Sequence, residues 1–271
     1  MTTSDIWDPE VYGCYADERA RPFFELLSRV NADKPACVVD LGCGTGELTT
    51  TLCRRWPEAE IHGVDSSQSM IGKATSGKAT SGKASTGPTF EVADVRDWWP
   101  ARPVDVIVSN AVLQWIPEHR DLLARWVGQL AEDGTLAFQV PGNFDAPSHR
   151  VIRELCRTAA WREELSDISR TSPVGEPGEY LDLLAGLGCE VDAWETTYVH
   201  VLPGDDAVLN WVKGTALRPM LDRLPPGRHA GFLADCARVL GAAYPRRPYG
   251  TPFPFRRIFV VARGPAGSSG V

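Results

Sequence analysis

The sequence predicts an α/β fold with a doubly wound, mostly parallel β-sheet, and two observations support that prediction. Over residues 30–140, short apolar runs typical of buried strands alternate with segments whose apolar residues recur at helical spacing. The first run, 38–41, continues into a glycine-rich turn at 42–46 and then into a helix-like segment. In a doubly wound sheet, this order of strand, turn and helix forms the floor of a ligand site.

The predicted elements follow one another in a regular order. The strands are expected at 38–41, 61–64, 90–93, 104–108 and 135–140. The helices are expected within 6–30, from residue 47, after the serine-rich start at 66–69 and over 118–130, with a turn at 132–134. Because consecutive strands are separated by helices or long connections, neighbouring strands should pair in parallel.

Beyond residue 140 the pattern is irregular and mainly helical. Residues 141–187 and 203–255 are predicted to form a helical cap on the ligand side, with Pro147, Pro173 and Pro177 as helix breakers. Two more strands are predicted at 190–199 and 257–262, before a disordered tail at about 264–271. We therefore expect one domain over 1–271, with a core of about 30–140 and the strands near 189–200 and 256–263.

A five-residue period of small and polar residues occupies 72–86, where Gly-Lys-Ala-Thr-Ser occurs twice and a variant of it follows. Such a repeat has no apolar face to pack, so we predict a flexible surface extension. A phosphate-binding loop is disfavoured because no Gly-Lys-[Ser/Thr] follows a strand here.

Composition excludes several classes of protein. The net charge of −7, from 28 basic and 35 acidic residues, argues against a general nucleic-acid surface. The seven scattered cysteines include no Cys-x-x-Cys, which indicates reduced thiols and neither a disulfide framework nor a metal site. No secretory signal is visible, and no apolar run approaches the roughly 18 residues of a membrane span. We expect a soluble, cytoplasmic protein.

Acidic and amide side chains follow the predicted strands at the edge where ligands bind in open α/β sheets. Asp65 follows the second strand about 20 residues after the turn, the geometry that binds two ribose hydroxyls. Asp94 with Val95 can supply an acceptor or an amide to an adenine edge, and Asn110 follows the fourth strand. These residues indicate an adenosine-containing ligand.

The first predicted strand carries an acid, Asp40, two residues before the first glycine of the turn. A nicotinamide dinucleotide would place its pyrophosphate on the helix start, where this carboxylate would repel it. An ammonium group would be attracted instead. The pattern therefore favours S-adenosylmethionine, which has a ribose, an adenine and an ammonium group but no phosphate.

The segment 39–46, with Asp65 and Asp94, resembles the class I S-adenosylmethionine-dependent methyltransferases. That resemblance implies a seven-stranded sheet with an antiparallel last strand, Asp65 at the ribose, and Asp94 and Val95 at the adenine. The residues expected to bind the cofactor are Asp40, Gly42, Cys43, Gly44, Gly46, Asp65, Ser66, Met70, Asp94, Val95 and Asn110. No metal is expected.

A narrower resemblance, to the trans-aconitate 2-methyltransferase family, extends over most of the chain. It is carried by 7–9 with Tyr12, 18–22, 65–67, 110–115, 141–144 with His149, 196–200 and 253–257. It implies monomethyl esterification of one carboxylate of trans-aconitate, a small tricarboxylate. The repeat at 72–86 departs from the family's plain helix and connection.

A carboxylate acceptor with a pKa near 4 is ionised at pH 7, so no general base is expected. The carboxylates that do not react need paired donors, which favours arginine. The candidates for orienting and binding the substrate are Tyr12, Arg19, Trp115, His149, Tyr198, His200, Arg218 and Arg257. Arg256 is also considered, but Arg256 and Arg257 alternate along a strand, so at most one points inward.

Other functions remain open at this point. The chain could methylate a different small acid or secondary metabolite, since a cap can change without altering the cofactor floor. It could also bind S-adenosylmethionine without catalysis, or be a nicotinamide-dependent oxidoreductase. The oligomeric state is not indicated.

Overall fold

The structure, a computed structural model, describes residues 16–76, 87–168, 173–214 and 216–265, and only the backbone of 16–19. Tyr12, the repeat residues 77–86 and the predicted tail from residue 266 lie outside that description.

The helices and strands of the first half follow the predicted order. They are α1 (Ala16–Ser28), β1 (Cys37–Leu41), α2 (Glu47–Arg55), β2 (Glu60–Asp65), α3 (Gln68–Ser76), β3 (Thr89–Val92), β4 (Val104–Asn110), a 3₁₀ turn (Leu113–Trp115), α4 (His119–Val127) and β5 (Leu130–Pro141). Each predicted strand lies within about two residues of an observed one except the fifth, which begins earlier.

The second half is helical with two long strands. Its elements are α5 (Pro147–Cys156), α6 (Arg162–Leu165), a 3₁₀ turn (Ser166–Ile168), α7 (Pro177–Gly186), β6 (Glu190–Leu202), α8 (Ala207–Lys213), α9 (Arg218–Arg223), α10 (Pro226–Ala243) and β7 (Thr251–Arg263).

The described strands form a seven-stranded sheet in the order β3-β2-β1-β4-β5-β7-β6. The pairs β1–β2, β1–β4, β2–β3 and β4–β5 are parallel. The order reverses direction at β1, so the carboxyl ends of β1 and β4 lie side by side at the switch point, where such sheets bind ligands. The doubly wound, mostly parallel sheet of the prediction is confirmed.

Two backbone hydrogen bonds show that β7 runs antiparallel to β5. The N–H of Gly264 donates to the carbonyl of Gly134 at 2.8 Å, and the N–H of Gly142 donates to the carbonyl of Arg256 at 2.9 Å. Residue numbers therefore rise along β5 while they fall along β7, which is the antiparallel pattern. The antiparallel last strand implied by the resemblance is present.

The core lies around β1, β4 and β5. All five residues of β1 are buried, and β4 is buried from Val106 to Ser109. A strand covered on both faces needs apolar residues at successive positions, and Cys-Val-Val-Asp-Leu is apolar at every position but Asp40. A buried carboxylate in the central strand is costly, so Asp40 is a candidate for a functional role.

Part of the repeat prediction is wrong. Residues 72–76 complete α3, which packs against β2 and β3. Met70, Ile71 and Ala74 are buried on one side of that helix, so Ala74 supplies the apolar contact that the repeat was expected to lack.

Three further predictions need correction. The turn expected at 132–134 lies inside β5, where Asp133 has a φ of 59° and the pairing with β4 shifts register near Val104. The last strand starts at Thr251 and not at residue 257. Pro147 and Pro177 begin helices, since the missing N–H of a proline costs nothing in the first helical turn.

The chain divides into two compact units. Unit 1 comprises Met1–Val140, Val174–Glu195 and Ile258–Val271, and unit 2 comprises Pro141–Pro173 and Thr196–Arg257. Helix α7 falls in unit 1, whereas the sequence pattern groups it with the cap. Within the described ranges, no helix is both long and apolar enough to cross a membrane.

Candidate functional site

The turn between β1 and α2 has left-handed backbone at each of its three glycines. Gly42, Gly44 and Gly46 have φ values of 86°, 56° and 74°. A methyl carbon on Gly42 would lie 2.1 Å from Val112, and one on Gly46 would lie 2.4 Å from Phe90, so any other residue there would displace these side chains and strain the backbone. A methyl carbon on Gly44 would meet no described atom within 4 Å. The open space beside Gly44 is available to a ligand.

Asp65 links this turn to the start of α3. Its Oδ2 accepts the N–H of Gly44 at 2.9 Å, and its Oδ1 accepts the N–H of Ser67 at 2.9 Å. A carboxylate oxygen has two lone pairs, so each oxygen can still accept a ribose hydroxyl. Ser67 was not among the residues expected to bind the cofactor. Its hydroxyl accepts the N–H of the buried Met70 at 3.2 Å, whereas Ser66 is exposed.

Asp40 is almost fully buried at the end of β1, with 3% of its surface exposed. Its Oδ2 accepts a hydrogen bond from the hydroxyl of Thr49 at 2.6 Å. Burial raises the pKa of Asp40 to about 7, and the charge of Asp65 adds to that effect, while the Thr49 bond opposes it. The carboxyl therefore titrates near neutral pH. Burial also raises the pKa of the Cys43 thiol, which stays neutral and is not a nucleophile.

The carboxylate of Asp94 is already bound by its own loop. The guanidinium of Arg96 donates to both oxygens of Asp94, at distances of 2.6–3.1 Å, and the backbone N–H of Arg96 donates to Oδ1 at 2.9 Å. These side-chain bonds lower the pKa of Asp94. Arg125 from α4 donates to the carbonyls of Val95, at 3.3 Å, and of Arg96. Neither arginine was recognised in the sequence, where nothing distinguishes them from surface residues.

The end of β4 carries backbone strain and buried acceptors. Ala111 has a φ of 59°, an unfavourable conformation for a residue with a Cβ. The side-chain amide of Gln114, which is 8% exposed, donates to the carbonyl of Ala111 at 2.6 Å. The oxygens Asn110 Oδ1 and Gln114 Oε1 are buried and have no hydrogen-bond partner among the residues that the structure describes. Two such acceptors beside a strained turn suit a ligand with N–H or O–H donors.

These groups fit the chemistry of S-adenosylmethionine. The carboxylates of Asp40 and Asp65 and the amide oxygen of Asn110 are acceptors, which suit ribose hydroxyls and an ammonium group. The open side of Gly44 leaves room for a ligand on the backbone. A pyrophosphate would meet two carboxylates, so the nicotinamide alternative does not fit this turn.

In unit 2, alternate residues of β6 and β7 form a buried aromatic cluster. Tyr198 and His200 lie on one face of β6, and Phe255 and Arg257 lie on one face of β7. The His200 ring stacks on Trp211 with 4.9 Å between centroids and lies 6.2 Å from Phe255. The guanidinium carbon of Arg257 lies 4.5 Å from the centre of the Phe255 ring. The structure therefore brings three predicted substrate residues into one cluster.

Arg256 and Arg257 differ in burial, as expected for successive residues of a strand. Arg257 is 6% exposed, whereas Arg256 is partly exposed and donates to the carbonyl of Gly142 at 3.2 Å. The choice that the sequence left open is thus settled in favour of Arg257 as the buried residue.

The remaining candidates are more scattered. His149, in the first turn of α5, lies against Phe144 with 5.4 Å between ring centroids. Burial lowers its pKa to about 4, and Arg153 adds to the effect, so the ring is neutral at pH 7. Arg218 begins α9, and Trp115, which is 40% exposed, ends the 3₁₀ turn after β4.

The two N-terminal candidates cannot be placed in the site. Arg19 belongs to α1, but its side chain is outside the described atoms, and Tyr12 lies outside the described residues altogether.

The sheet, its glycine turn and the acceptors on Asp40, Asp65 and Asn110 define an S-adenosylmethionine-dependent methyltransferase. A family of proteins described as "Methyltransferase domain" matches residues 15–193 of the chain. The cyclase SpnF has a similar fold, with a TM-score of 0.56 and 16% identity over 98% of this chain and 89% of SpnF.

Two relatives define the family more narrowly. The trans-aconitate 2-methyltransferase of Streptomyces coelicolor is 51% identical over 98% of this chain and 89% of its own length. That of Mycolicibacterium gilvum is 52% identical over 95% of this chain and 99% of its own length. The chain belongs to the trans-aconitate 2-methyltransferase family.

Proposed function

We propose that this enzyme transfers the methyl group of S-adenosylmethionine to one carboxylate of trans-aconitate. The products are a monomethyl ester and S-adenosylhomocysteine. The observation that carries this proposal beyond family membership is Arg257, a buried guanidinium within an aromatic cluster. An arginine in such surroundings attracts carboxylates more strongly than one in water, because the local dielectric is low.

In unit 1, the chain's own groups bind and orient the cofactor. Asp65 accepts the ribose hydroxyls while it holds Gly44 and Ser67 in place. Asp40 and Asn110 accept hydrogen bonds from the ammonium group, and Asp94 with Val95 borders the adenine. When bound, S-adenosylmethionine supplies an electrophilic methyl group on a positively charged sulfur.

The acceptor needs orientation more than activation. A carboxylate is ionised at pH 7, so no side chain has to remove a proton before its oxygen attacks the methyl carbon. The neutral His149 is therefore assigned to orientation and not to base catalysis. Arg257 binds a carboxylate that does not react, with Tyr198 and His200 beside it, and Arg19, Arg218, Trp115 and Tyr12 are proposed as further contacts.

The proposal is tested by incubating the protein with methyl-labelled S-adenosylmethionine and separate acids. Trans-aconitate, cis-aconitate and citrate present the same number of carboxylates in different geometries. We expect base-labile label on trans-aconitate at a kcat/KM well above that for the other two acids. Methylation of a different acceptor in preference to trans-aconitate would overturn the substrate assignment, and cofactor binding without turnover of any acid would indicate a non-catalytic binding protein.

We also propose that the protein works in the cytoplasm on a small-molecule polycarboxylate, as one methyltransferase domain with the predicted helical cap. The scattered cysteines and the net charge of −7 support a reducing compartment and no nucleic-acid partner.

A further inference from the structure

Thr49 and Asp40 form a closely packed pair inside unit 1. Thr49 lies in α2 and is 0% exposed, Asp40 lies in β1 and is 3% exposed, and their oxygens are 2.6 Å apart. A hydroxyl that donates to a carboxylate makes a short, charge-assisted hydrogen bond, and this distance is typical of one. The bond fixes the direction in which the Asp40 carboxylate points.

The side chains of Asp65 and Cys43 do not stabilise the negative charge of Asp40. Asp65 on β2 acts on it with the same sign of charge, and the Cys43 thiol in the turn is neutral. The Thr49 hydroxyl is the one side-chain donor that reaches Asp40 within the described part of the chain. Without it, a buried carboxylate would take up a proton more readily.

The two threonines that follow in α2 behave differently. The hydroxyl of Thr50 donates to the carbonyl of Gly46 at 2.8 Å, and that of Thr51 donates to the carbonyl of Leu48 at 2.6 Å. A threonine hydroxyl in a helix commonly donates to a carbonyl of the preceding turn in this way. Thr49 instead donates to a side chain of the preceding strand, β1.

We propose that Thr49 is a positioning residue for the cofactor: its hydroxyl holds Asp40 as a negatively charged acceptor aimed at the ammonium group of S-adenosylmethionine. Thr49 acts through Asp40 and has no contact of its own with the cofactor. The inference rests on the cofactor assignment and on no assumption about the methyl acceptor, so a failure of trans-aconitate as substrate would leave it unaffected.

Calorimetry with two ligands tests this role. S-adenosylhomocysteine carries the ammonium group, whereas 5′-methylthioadenosine has the same nucleoside without it. At pH 7, we expect Thr49→Val to weaken S-adenosylhomocysteine binding by about tenfold or more, the usual effect of losing a hydrogen bond to a charged group. Binding of 5′-methylthioadenosine should change by less than about twofold, because Asp40 faces the missing ammonium.

The pH dependence separates this role from a structural one. Removing the donor raises the pKa of Asp40 further, so the carboxylate ionises only at higher pH. The defect of Thr49→Val relative to the wild-type protein at the same pH should therefore be larger at pH 7 than at pH 8.5. Thr49→Ser keeps the hydroxyl and should bind S-adenosylhomocysteine within about threefold of wild type.

Two further variants complete the test. Thr51→Val is the matched control, because its hydroxyl bonds within α2, and it should bind both ligands like the wild type. In an Asp40→Asn background, Thr49→Val should have no further effect on affinity, because its partner charge is already gone. Equal losses for both ligands, an equal loss in Thr51→Val, or a defect that does not change with pH would overturn the proposal. If Thr49→Val does not fold, Thr49→Ala and Thr49→Cys take its place in the same measurements.

Discussion

The guanidinium of Arg257 lies over the ring of Phe255, 4.5 Å from its centre. The two residues are two positions apart on β7. Residues two apart in a strand share a face, so this contact puts the charged group among the aromatic side chains of unit 2. A cation over an aromatic ring is attracted by the ring's quadrupole, which restricts where the guanidinium of Arg257 lies.

Arg257→Lys should raise the KM for trans-aconitate by about ten- to a hundredfold, since a lysine loses the paired donors of a guanidinium. The affinity for S-adenosylhomocysteine should stay within about twofold. Steady-state kinetics and calorimetry measure the two quantities. Arg256→Lys is the control, because Arg256 lies on the other face of the strand and contacts a backbone carbonyl. Equal loss of acid and cofactor binding in Arg257→Lys would remove Arg257 from the substrate site.

Asp65→Ala should weaken cofactor binding by about 1–3 kcal/mol, because the ribose loses a charged acceptor and the turn loses its bond at Gly44. Asp105→Ala offers a matched control. Asp105 also accepts two backbone N–H groups, at 2.8 and 3.0 Å, but at the amino end of β1. It should lower stability without changing cofactor affinity, as measured by urea unfolding and calorimetry. A cofactor defect of the same size in both variants would refute the ribose role.

Gln114→Leu should destabilise the protein by about 1–2 kcal/mol and weaken cofactor binding. The variant loses the bond to Ala111 that holds the strained turn beside Asn110. Gln129→Leu is the contrasting variant, since both polar atoms of Gln129 are buried without a partner among the described residues. Removing them should leave stability unchanged or raised, and cofactor affinity unchanged. If Gln114→Leu unfolds and binds like the wild type, the turn does not depend on this bond.

His149 should contribute a loss of stability as the pH drops from about 6.5 towards 4. Its pKa is lowered in the folded state to about 4, so the unfolded chain binds the proton first and gains stability relative to the folded chain. Asp40 acts with the opposite sign, since its raised pKa favours the folded state at low pH. Its contribution is common to the wild type and to His149→Gln and cancels in their difference.

The difference in unfolding free energy between wild type and His149→Gln should therefore move in favour of His149→Gln as the pH falls through this window. Urea unfolding at several pH values measures it, and Thr158→Ser in the loop after α5 serves as a neutral reference. A difference that is constant with pH would show that His149 does not titrate differently in the folded and unfolded states.

The grouping of the acidic residues and glycines at one edge of the sheet was predictable because its signals are local. The apolar run, Asp40, the glycines and the acid at residue 65 lie at the ends of neighbouring strands, and parallel topology brings those ends together without further information. The helix at 72–76 was missed for the opposite reason. Its composition is that of a linker, and Ala74 becomes helical because α3 has a sheet to pack against.

The sequence did not predict which side chain makes which hydrogen bond. Nothing in the order of residues distinguishes Thr49 from Thr50, or Arg96 from other exposed arginines, since each bond depends on the rotation of a helix or the closing of a loop. Likewise, the sequence allowed either Arg256 or Arg257 to point inward, and only the pairing of β7 from Thr251 onwards determines the face.

The sequence by itself determined the order of strands and helices, the glycine turn and the class of ligand, because hydrophobic periodicity and glycine spacing are properties of neighbouring residues. The tertiary structure decided the environment of each charge: Asp40 buried beside Thr49, Asp94 held by Arg96, and Arg257 set among aromatic rings. Burial and the distance between charges determine the chemistry of these groups, and both arise only when distant segments pack together.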